Sequence, residues 1–447
     1  MTSHRTRLPG ERLPSEAEAR AARGTISRRR FLQAGALAGS GAVVGASGLG
    51  SQSGAAPPVY PGRVAPHAYL DGASTVASER AELSSFEHGY QSAMLSEPTP
   101  ATAVVSYDVI ASSRAELADL LRTVTTQLRR LYAGGLPVNL GPASPQSDNG
   151  ILGQIVPPRQ VAFVLGVGAS LFDGRFGLSE RRPATLTTMQ SFANDDLDPA
   201  ICGGDLSLQI MAADTDTVVH AVREIAMVTR GGMQPRWRLD GFHSPPRPTG
   251  TPRNLFGFKD GIANPDTADA RQMDQLIWVQ RGDPEPAWTA RGTYQVVRII
   301  RMLTEFWDRV SLNEQERMIG RRRASGAPLS GNDEYSPIDY EGDPQGNIIP
   351  LSAHIRLANP RTPATEKNRI LRRGWNYDLG VDQVGNLDMG LIFICYQQDV
   401  ERQFVTVQKR LIGEPLIDYV QPFGGGYFYT LPGVTDASDG YGKTMLA

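Results

Sequence analysis

Hydrophobic and polar residues follow patterns that predict two successive sets of strands and helices. In the first set, residues 102–111 alternate and are rich in β-branched side chains, which predicts a strand. Leucine and valine then recur at helical spacing through 112–132, and Gly134 and Gly135 end the predicted helix. The set continues with strands at 160–167 and 206–212, a helix at 215–228 and a final strand near 236–239.

A similar order of elements recurs after a proline-rich segment at 244–252. The pattern predicts strands at 275–280, 292–302, 390–397 and 427–431 and helices at 303–309, 311–319 and 400–411. Ser311 and Glu314 form a capping box at the start of one of these helices. Two βαββαβ-like halves in tandem predict a duplicated ferredoxin-like α+β fold with antiparallel sheets. Because the halves share little sequence identity, this prediction rests on element order.

The first 56 residues form a segment of a different kind. Residues 27–33 (SRRRFLQ) precede an uncharged, glycine- and alanine-rich stretch at 34–50, a combination typical of a twin-arginine export signal. A basic disordered tail is the alternative. We place cleavage near 54–56, where no cysteine offers a lipid anchor. The predicted organisation is therefore a signal at 1–56, an N-terminal half at 57–243 and a C-terminal half at 253–447.

Composition and charge exclude several classes of protein. The chain of 447 residues contains two cysteines, too few for a disulfide framework or a zinc ribbon, and no C-x-x-C-H motif for covalent haem. No apolar stretch of about 20 residues predicts a membrane span. Without its first 56 residues the chain has 37 basic and 44 acidic residues, a net charge of −7. This charge argues against a nucleic-acid-binding protein.

Three polar residues stand in unusual local sequences. Asp260 lies between glycines in 254–265 (NLFGFKDGIANP), His354 begins the segment HIRLANPR, and Arg372 belongs to ILRRGW. Each has an ordinary structural explanation when it is considered alone: a turn aspartate, a packed histidine and a solvated basic face. A functional interpretation therefore depends on their combination.

Taken together, these segments resemble the dye-decolorising haem peroxidases. That family carries a GxxDG segment, a histidine in H-I-R-x-x-N-P-R and an arginine in L-R-R-G, and this chain has all three, at 257–261, 354–361 and 371–374. The separations of 94 and 18 residues are similar to those of the exported subgroup that includes deferrochelatase/peroxidases. The resemblance extends from about residue 100 to the C-terminus. Ile262 departs from it, since the subgroup often has threonine there.

The resemblance implies a fold of the dimeric α/β-barrel-like superfamily, with haem b bound between a sheet and helices. It implies that His354 is the ligand of the haem iron, with an open sixth position for hydrogen peroxide. We expect Asp399 to accept a hydrogen bond from the other imidazole nitrogen and make the ligand more electron-donating. Phe393 is expected to contact the haem. Arg356 either pairs with a haem propionate or braces the backbone.

The resemblance also assigns the face of the haem where peroxide reacts. Asp260 is the predicted acid–base group that moves a proton between the two peroxide oxygens. An aspartate, with an ordinary pKa of about 3.9, serves as a base in mildly acidic solution, where a histidine is protonated. Arg372 stays charged and is expected to stabilise the negative charge on the leaving oxygen.

The implied function is that of a secreted haem b peroxidase that uses hydrogen peroxide to oxidise dyes and phenolic compounds through a ferryl intermediate. Electrons from large dyes could pass through Trp375, Tyr377, Tyr396 and Tyr427, although each could equally be an ordinary core aromatic residue. Expected partners are hydrogen peroxide, small aromatic reductants and the twin-arginine export machinery, with a possible homodimer and no nucleic acid. One alternative is a deferrochelatase that releases iron from haem in an iron-uptake system. Another is a haem-binding or delivery protein, against which Asp260 and Arg372 argue, because a carrier needs no acid–base pair.

Overall fold

The computed structural model describes residues 86–282 and 284–447. The export signal predicted for 1–56 lies outside the described residues. Among the described residues, no helix combines the length and the hydropathy that a membrane span requires.

Nine strands in the described residues join in one antiparallel sheet. They are β1 (Ala101–Val109), β2 (Val161–Gly168), β3 (Leu206–Ala212), β4 (Met233–Phe242), β5 (Thr293–Met302), β6 (Leu371–Arg372), β7 (Trp375–Val381), β8 (Leu387–Gln397) and β9 (Val420–Thr430).

The described residues also contain eight α-helices. They are α1 (Arg114–Ala133), α2 (Thr215–Val228), α3 (Ala270–Leu276), α4 (Thr304–Trp307), α5 (Leu312–Ile319), α6 (His354–Ala358), α7 (Thr406–Leu411) and α8 (Lys443–Leu446). A π-helical turn, Glu401–Val405, leads directly into α7.

Strand order confirms the ferredoxin-like prediction for both halves. In the first half the spatial order is β4-β1-β3-β2, and in the second half it is β9-β5-β8-β7. When the four main strands of each half are numbered along the chain, both orders are fourth, first, third, second. The halves join where β2 pairs with β9 and β4 with β7. Because β5 also pairs with β8, eight strands close into a barrel that leaves only the short β6 outside the ring.

The helices of the first half pack tightly against the outer face of their strands. Ser113 caps α1 by accepting a hydrogen bond from the Glu116 N–H, and Asp214 caps α2 through the Thr217 N–H. The apolar stripe of α1 is buried with one face of β1 and β3. The residues of that stripe are Leu117, Leu120, Leu121, Val124, Leu128 and Leu131.

A second apolar core fills the barrel interior. Val104, Trp237, Trp375 and Ile392 belong to this cluster, in which strands of both halves meet. Side chains alternate between the interior and the outer face along each strand, so the outer face of the second half is free to form other contacts.

One predicted strand is wrong. Residues 275–280 do not form a strand; α3 ends at Leu276, and Ile277, Trp278 and Val279 follow as a buried loop. Asp269 caps α3 by accepting hydrogen bonds from the N–H groups of Arg271 and Gln272. The apolar run that suggests a strand is buried here by tertiary packing, which a short run cannot distinguish from strand pairing.

Candidate active site

A cavity opens on the outer face of the second half, between β5 and β8 on one side and α6 and α7 on the other. It encloses about 1810 Å³ of space, its open mouth included. Arg298, Ile300 and Met302 line it from alternate positions of β5, and Leu391 and Phe393 line it from β8. Phe393, predicted to contact a haem, is therefore part of the cavity wall.

His354 lines the cavity from the first position of α6. Its Nδ1 lies 2.8 Å and 3.1 Å from the two carboxylate oxygens of Glu414, whose side chain is only 5% exposed. The helix can approach because Gly320, at φ +95°, ends α5 beside it; a Cβ there would lie 2.6 Å from Ile355. Since Nδ1 donates to Glu414, Nε2 is the nitrogen available to a ligand in the cavity.

The carboxylate that bonds His354 is Glu414, so the prediction of Asp399 for that position is wrong. The Asp399 carboxylate instead accepts a hydrogen bond from the Arg402 N–H at 2.9 Å, at the start of the π-helical turn. Glu414 lies 60 residues beyond His354, in the turn that follows α7. Its sequence signal is a single acidic residue between apolar segments (LIGEPLI), a position at which burial requires a partner.

Arg356 braces the backbone, which is the second of its two predicted alternatives. Its guanidinium donates to the carbonyl oxygens of Ile349 at 2.9 Å and Asp343 at 2.8 Å and pairs with the Asp343 carboxylate at 3.3 Å. It also lies over the Tyr340 ring. These contacts hold the guanidinium against residues 340–349, and Arg356 is not among the residues that line the cavity.

Asp260 stands on a tight loop that also lines the cavity. Gly257 and Gly261 adopt φ values of +82° and +111°, which favour glycine and turn the chain on both sides of the aspartate. The side-chain oxygen of Asn254 accepts from the N–H groups of Phe256 at 3.1 Å and Phe258 at 3.3 Å. The Asn254 amide also donates to Asp260 Oδ2 at 3.3 Å. The loop thus fixes the carboxylate as well as the backbone.

A buried ion pair also stabilises the loop that carries Asp260. Lys259 pairs with Glu334, and both side chains are less than a tenth exposed. Glu334 also accepts the Thr251 N–H at 2.9 Å. Burial alone would raise the pKa of Glu334, but its hydrogen bonds to Lys259 and Thr251 outweigh that effect and lower it.

Arg372 forms an ion pair with Asp260, so the structure brings the two predicted distal residues together. Both side chains remain partly exposed to the cavity, at 29% and 19%. Arg372 lies on β6, in register with Cys395 of β8. The guanidinium has further N–H groups beyond the one that contacts Asp260.

Two arginines without carboxylate partners stand where the cavity meets a second, polar pocket. Both Arg321 and Arg361 line the two spaces, and neither forms an ion pair within the described residues. Burial, reinforced by the charge of Arg361, lowers the pKa of Arg321. Arg361 has a φ of +58°, an uncommon conformation for a residue with a Cβ. Neither arginine has a role that the sequence alone predicts, although Arg361 is the last residue of the HIRLANPR segment.

His243 is a further titratable group beside the distal aspartate. Burial lowers its pKa, and the charges of Asp260 and Glu97 oppose that shift. The imidazole ring meets Trp375 edge-on, with 6.2 Å between ring centroids. No local motif points to this residue in the sequence.

The four aromatic residues considered for electron transfer are buried, and none of them lines the cavity. Trp375, Tyr377 and Tyr396 belong to the core inside the barrel, and Tyr427 belongs to the core under the helices. The Tyr396 hydroxyl donates to Gln209 at 2.7 Å and accepts from Gln295 at 3.0 Å.

Comparison with known proteins places this geometry in a family. Residues 91–243 match the family Dyp-type peroxidase, N-terminal, and residues 251–435 match Dyp-type peroxidase, C-terminal. The chain belongs to the Dyp-type peroxidase family. Deferrochelatase of Escherichia coli (strain K12) is 45% identical to it over 426 residues, covering 94% of this chain and 97% of that protein.

Solved structures of the family have the same fold. A DyP-type peroxidase from Cellulomonas bogoriensis is similar with a TM-score of 0.72 and 34% identity, covering 81% of this chain and 97% of the other. Ferric DtpA from Streptomyces lividans gives a TM-score of 0.73 at 34% identity, over 81% and 96% of the two chains. The family confirms the predicted peroxidase class and the ferredoxin-like architecture.

Proposed function

We propose that this Dyp-type peroxidase binds haem b in the cavity, with the iron on His354 and hydrogen peroxide on the side of Asp260 and Arg372. One observation carries the proposal. A single cavity contains an imidazole held by a buried carboxylate and an aspartate–arginine pair, although His354 and Asp260 are 94 residues apart in the chain.

The residues of the cavity fit a haem. Aliphatic and aromatic side chains from β5, β8, the π-helical turn, α7 and the turn after α7 form walls suited to a flat apolar ring: Ile300, Met302, Leu391, Phe393, Phe404, Val407, Leu411 and Leu416. His354 would bind the haem iron through Nε2. Arg321 and Arg361 would hold the haem carboxylates, because they are cations without acidic partners among the described residues.

When bound, the haem supplies the redox chemistry that cleaves the O–O bond of peroxide. Asp260 would take a proton from one peroxide oxygen and return it to the other, which would leave as water. Arg372 holds a fixed positive charge beside that leaving oxygen. Glu414 accepts the Nδ1–H of His354, which fixes the tautomer and ring orientation and makes the imidazole a stronger donor.

The reductants that we propose are phenols and dyes, oxidised one electron at a time. Large dyes that cannot enter the cavity would deliver electrons through buried aromatic residues. Among the four candidates, Tyr396 has both a hydrogen-bond acceptor and a donor at its hydroxyl, whereas the Tyr377 hydroxyl is buried with no partner in the described residues. Burial raises the pKa of Tyr396, so its phenol is protonated in the resting protein.

Release of iron from haem is a second candidate function. It is favoured by the 45% identity to Deferrochelatase of Escherichia coli (strain K12). Incubating the haem-loaded protein with a ferrous chelator and recovering the porphyrin distinguishes the two functions. Intact, metal-free porphyrin supports iron release, whereas rapid peroxide-dependent oxidation of a phenol or dye supports the peroxidase function.

Export by the twin-arginine pathway and assembly as a homodimer complete the proposal. The arginine motif at 28–30 supports export. N-terminal sequencing of the exported protein tests the predicted cleavage near 54–56, and an Arg28→Lys, Arg29→Lys, Arg30→Lys variant should not be exported. Light scattering of the purified protein tests the dimer.

The direct test of the peroxidase function is stopped-flow mixing of the haem-loaded protein with hydrogen peroxide. We expect rapid spectral change of the haem and subsequent return on addition of a phenol. A protein that binds haem but reacts with peroxide no faster than free haem would be a carrier, and the proposal would fail.

A further inference from the structure

Although β6 pairs with β8, the backbone N–H and C=O of Arg372 bond a side chain and not that strand. The adjacent residue, Arg373, donates its N–H to Ile394 of β8 at 2.8 Å. The N–H and C=O of Arg372 point away from β8, and both are bonded to the amide of Asn264. The Arg372 N–H donates to Asn264 Oδ1 at 2.8 Å, and Asn264 Nδ2 donates to the Arg372 carbonyl oxygen at 2.8 Å.

Asn264 belongs to the segment that carries Asp260. It lies four residues beyond the aspartate, and its own N–H donates to the Gly261 carbonyl at 3.2 Å, within the same turn. The Asn264 amide therefore connects the loop that carries Asp260 to β6 through two hydrogen bonds. The two segments are 108 residues apart in sequence.

We propose that Asn264 is a positioning residue, which sets where the Arg372 guanidinium stands relative to Asp260 and the bound peroxide. The inference rests on the peroxidase function proposed above. The ion pair with Asp260 cannot do this alone, because Asp260 exchanges a proton during the reaction and that contact changes with it. The hydrogen bonds between the Asn264 amide and the Arg372 backbone do not change when Asp260 gains or loses a proton.

Small displacements are costly in this position. A shift of about 1 Å in a group that stabilises the transition state can cost about 100-fold in rate. Asn264→Ala would leave the outward N–H and C=O of Arg372 to water and release the edge of the two-residue strand. We expect the second-order rate constant for peroxide to fall by about 10- to 100-fold.

A double-mutant cycle separates positioning from a general structural effect. The variants are Asn264→Ala, Arg372→Leu and the combination, compared by their rate constants with peroxide. If Asn264 acts through Arg372, the Asn264→Ala change has no further effect in the Arg372→Leu background. An equal loss in both backgrounds would overturn the proposal.

Asn368 provides a matched control. It is another asparagine of the cavity wall, and its amide donates to the Arg402 carbonyl oxygen at 2.7 Å, away from Arg372. Whatever the size of the Asn368→Ala effect, it should be the same in the presence and absence of Arg372. Coupling of Asn368 to Arg372 as strong as that of Asn264 would contradict a specific role for Asn264.

A measurement without turnover distinguishes failure of this inference from failure of the proposed function. Fluoride bound to haem iron accepts a hydrogen bond from a nearby cation, so its dissociation constant reports the position of Arg372. We expect Asn264→Ala to weaken fluoride binding in the Arg372 protein and to leave it unchanged in Arg372→Leu. Equal weakening in both would overturn the positioning role, even if the wild-type protein reacts with peroxide as proposed.

Discussion

The two halves of the protein have the same strand order but differ in what covers their strands. In the first half, α1 and α2, of 20 and 14 residues, cover the outer face of the sheet with a continuous apolar layer. In the second half, α5 and α7 have 8 and 6 residues, and residues 320–370 form a long excursion that carries α6. The cavity lies where the shorter helices leave the sheet uncovered. A shared topology therefore does not decide whether a half is packed or open.

Two histidines, one in each half, show the same difference between a packed site and an open one. His220 in α2 bonds Asp148 at 2.9 Å and is 1% exposed, while His354 bonds Glu414 at 2.8 Å and lines the cavity. The carboxylates of Asp148 and Glu224 near His220 lie 3.6 Å and 3.5 Å from Arg130. Their charge is thus compensated within the protein. A histidine–carboxylate pair becomes a candidate ligand only where the other nitrogen faces open space.

Removing the two imidazoles separately gives the largest expected difference between the halves. His354→Ala should purify with little haem or with an altered iron spin state, because it removes the proposed iron ligand. His220→Gln, which keeps a polar group beside Asp148, should retain wild-type haem content. Absorption spectra of both variants after haem loading provide the measurement, with circular dichroism to confirm folding. Full loading and an unchanged spectrum in His354→Ala would contradict the assignment.

The distal pair should give the next largest effect. Loss of a positioned general base costs about 10²- to 10⁴-fold in rate, and loss of a preorganised cation costs about 10²- to 10³-fold. Asp260→Asn and Arg372→Leu should therefore slow the reaction with peroxide by these factors while haem loading persists. Stopped-flow rates between pH 4 and 7 test both. Wild-type rates in both variants would exclude this pair from catalysis.

Glu414 and Asp399 offer a sharper comparison within the second half. Glu414→Gln removes the charge that orients His354, and changes of this kind cost about 10- to 100-fold in affinity or activity. Asp399→Asn keeps an oxygen that can accept the Arg402 N–H, so we expect little change. The iron–histidine stretching frequency in resonance Raman spectra should fall in the first variant alone. A larger shift in Asp399→Asn would reverse the assignment made from the hydrogen bonds.

The smallest expected effect is confined to the first half. Burial alone would raise the pKa of Asp148, but hydrogen bonds from the Gly150 N–H and His220, with the charge of Arg130, lower it overall. A lowered pKa in the folded state stabilises the protein above the ordinary aspartate value near 3.9. That stabilisation is lost as the pH falls through the folded value. Denaturant unfolding from pH 6 to pH 3 should show a steeper loss of stability in the wild type than in Asp148→Asn. Parallel curves would show that this carboxylate does not contribute.

Local patterns were sufficient to predict most of the fold. The strand at 206–212 and the helix at 215–228 have the predicted bounds, because an alternating run and a capped amphipathic helix are complete local signals. The error at 275–280 and the unpredicted β6 and β7 share a physical cause. In these short segments the conformation is decided by contacts distant in sequence, such as the pairing of Asn376 in β7 with Phe242 in β4.

Site residues could be predicted from the sequence only where they belong to a recognisable motif. Asp260, His354 and Arg372 stand in recognisable local sequences, and the structure brings all three to one cavity. Glu414 and Arg321 have no such context, and Asn264 lies in the Asp260 segment without a pattern that assigns it a role. The roles of all three depend on which groups the fold places beside them. The incorrect prediction of Asp399 as the partner of His354 shows how far sequence patterns reach. A carboxylate near the end of a strand does not reveal which distant imidazole it will face in the fold.

The most direct test of the central claim is a crystal structure of the haem-loaded protein with anomalous scattering measured at the iron edge. We expect one iron peak in the cavity of the second half, within coordination distance of His354 Nε2, with Asp260 and Arg372 on the opposite side of the ring. An iron peak bound to another residue, or a haem with Asp260 and Arg372 on the same side as His354, would contradict it.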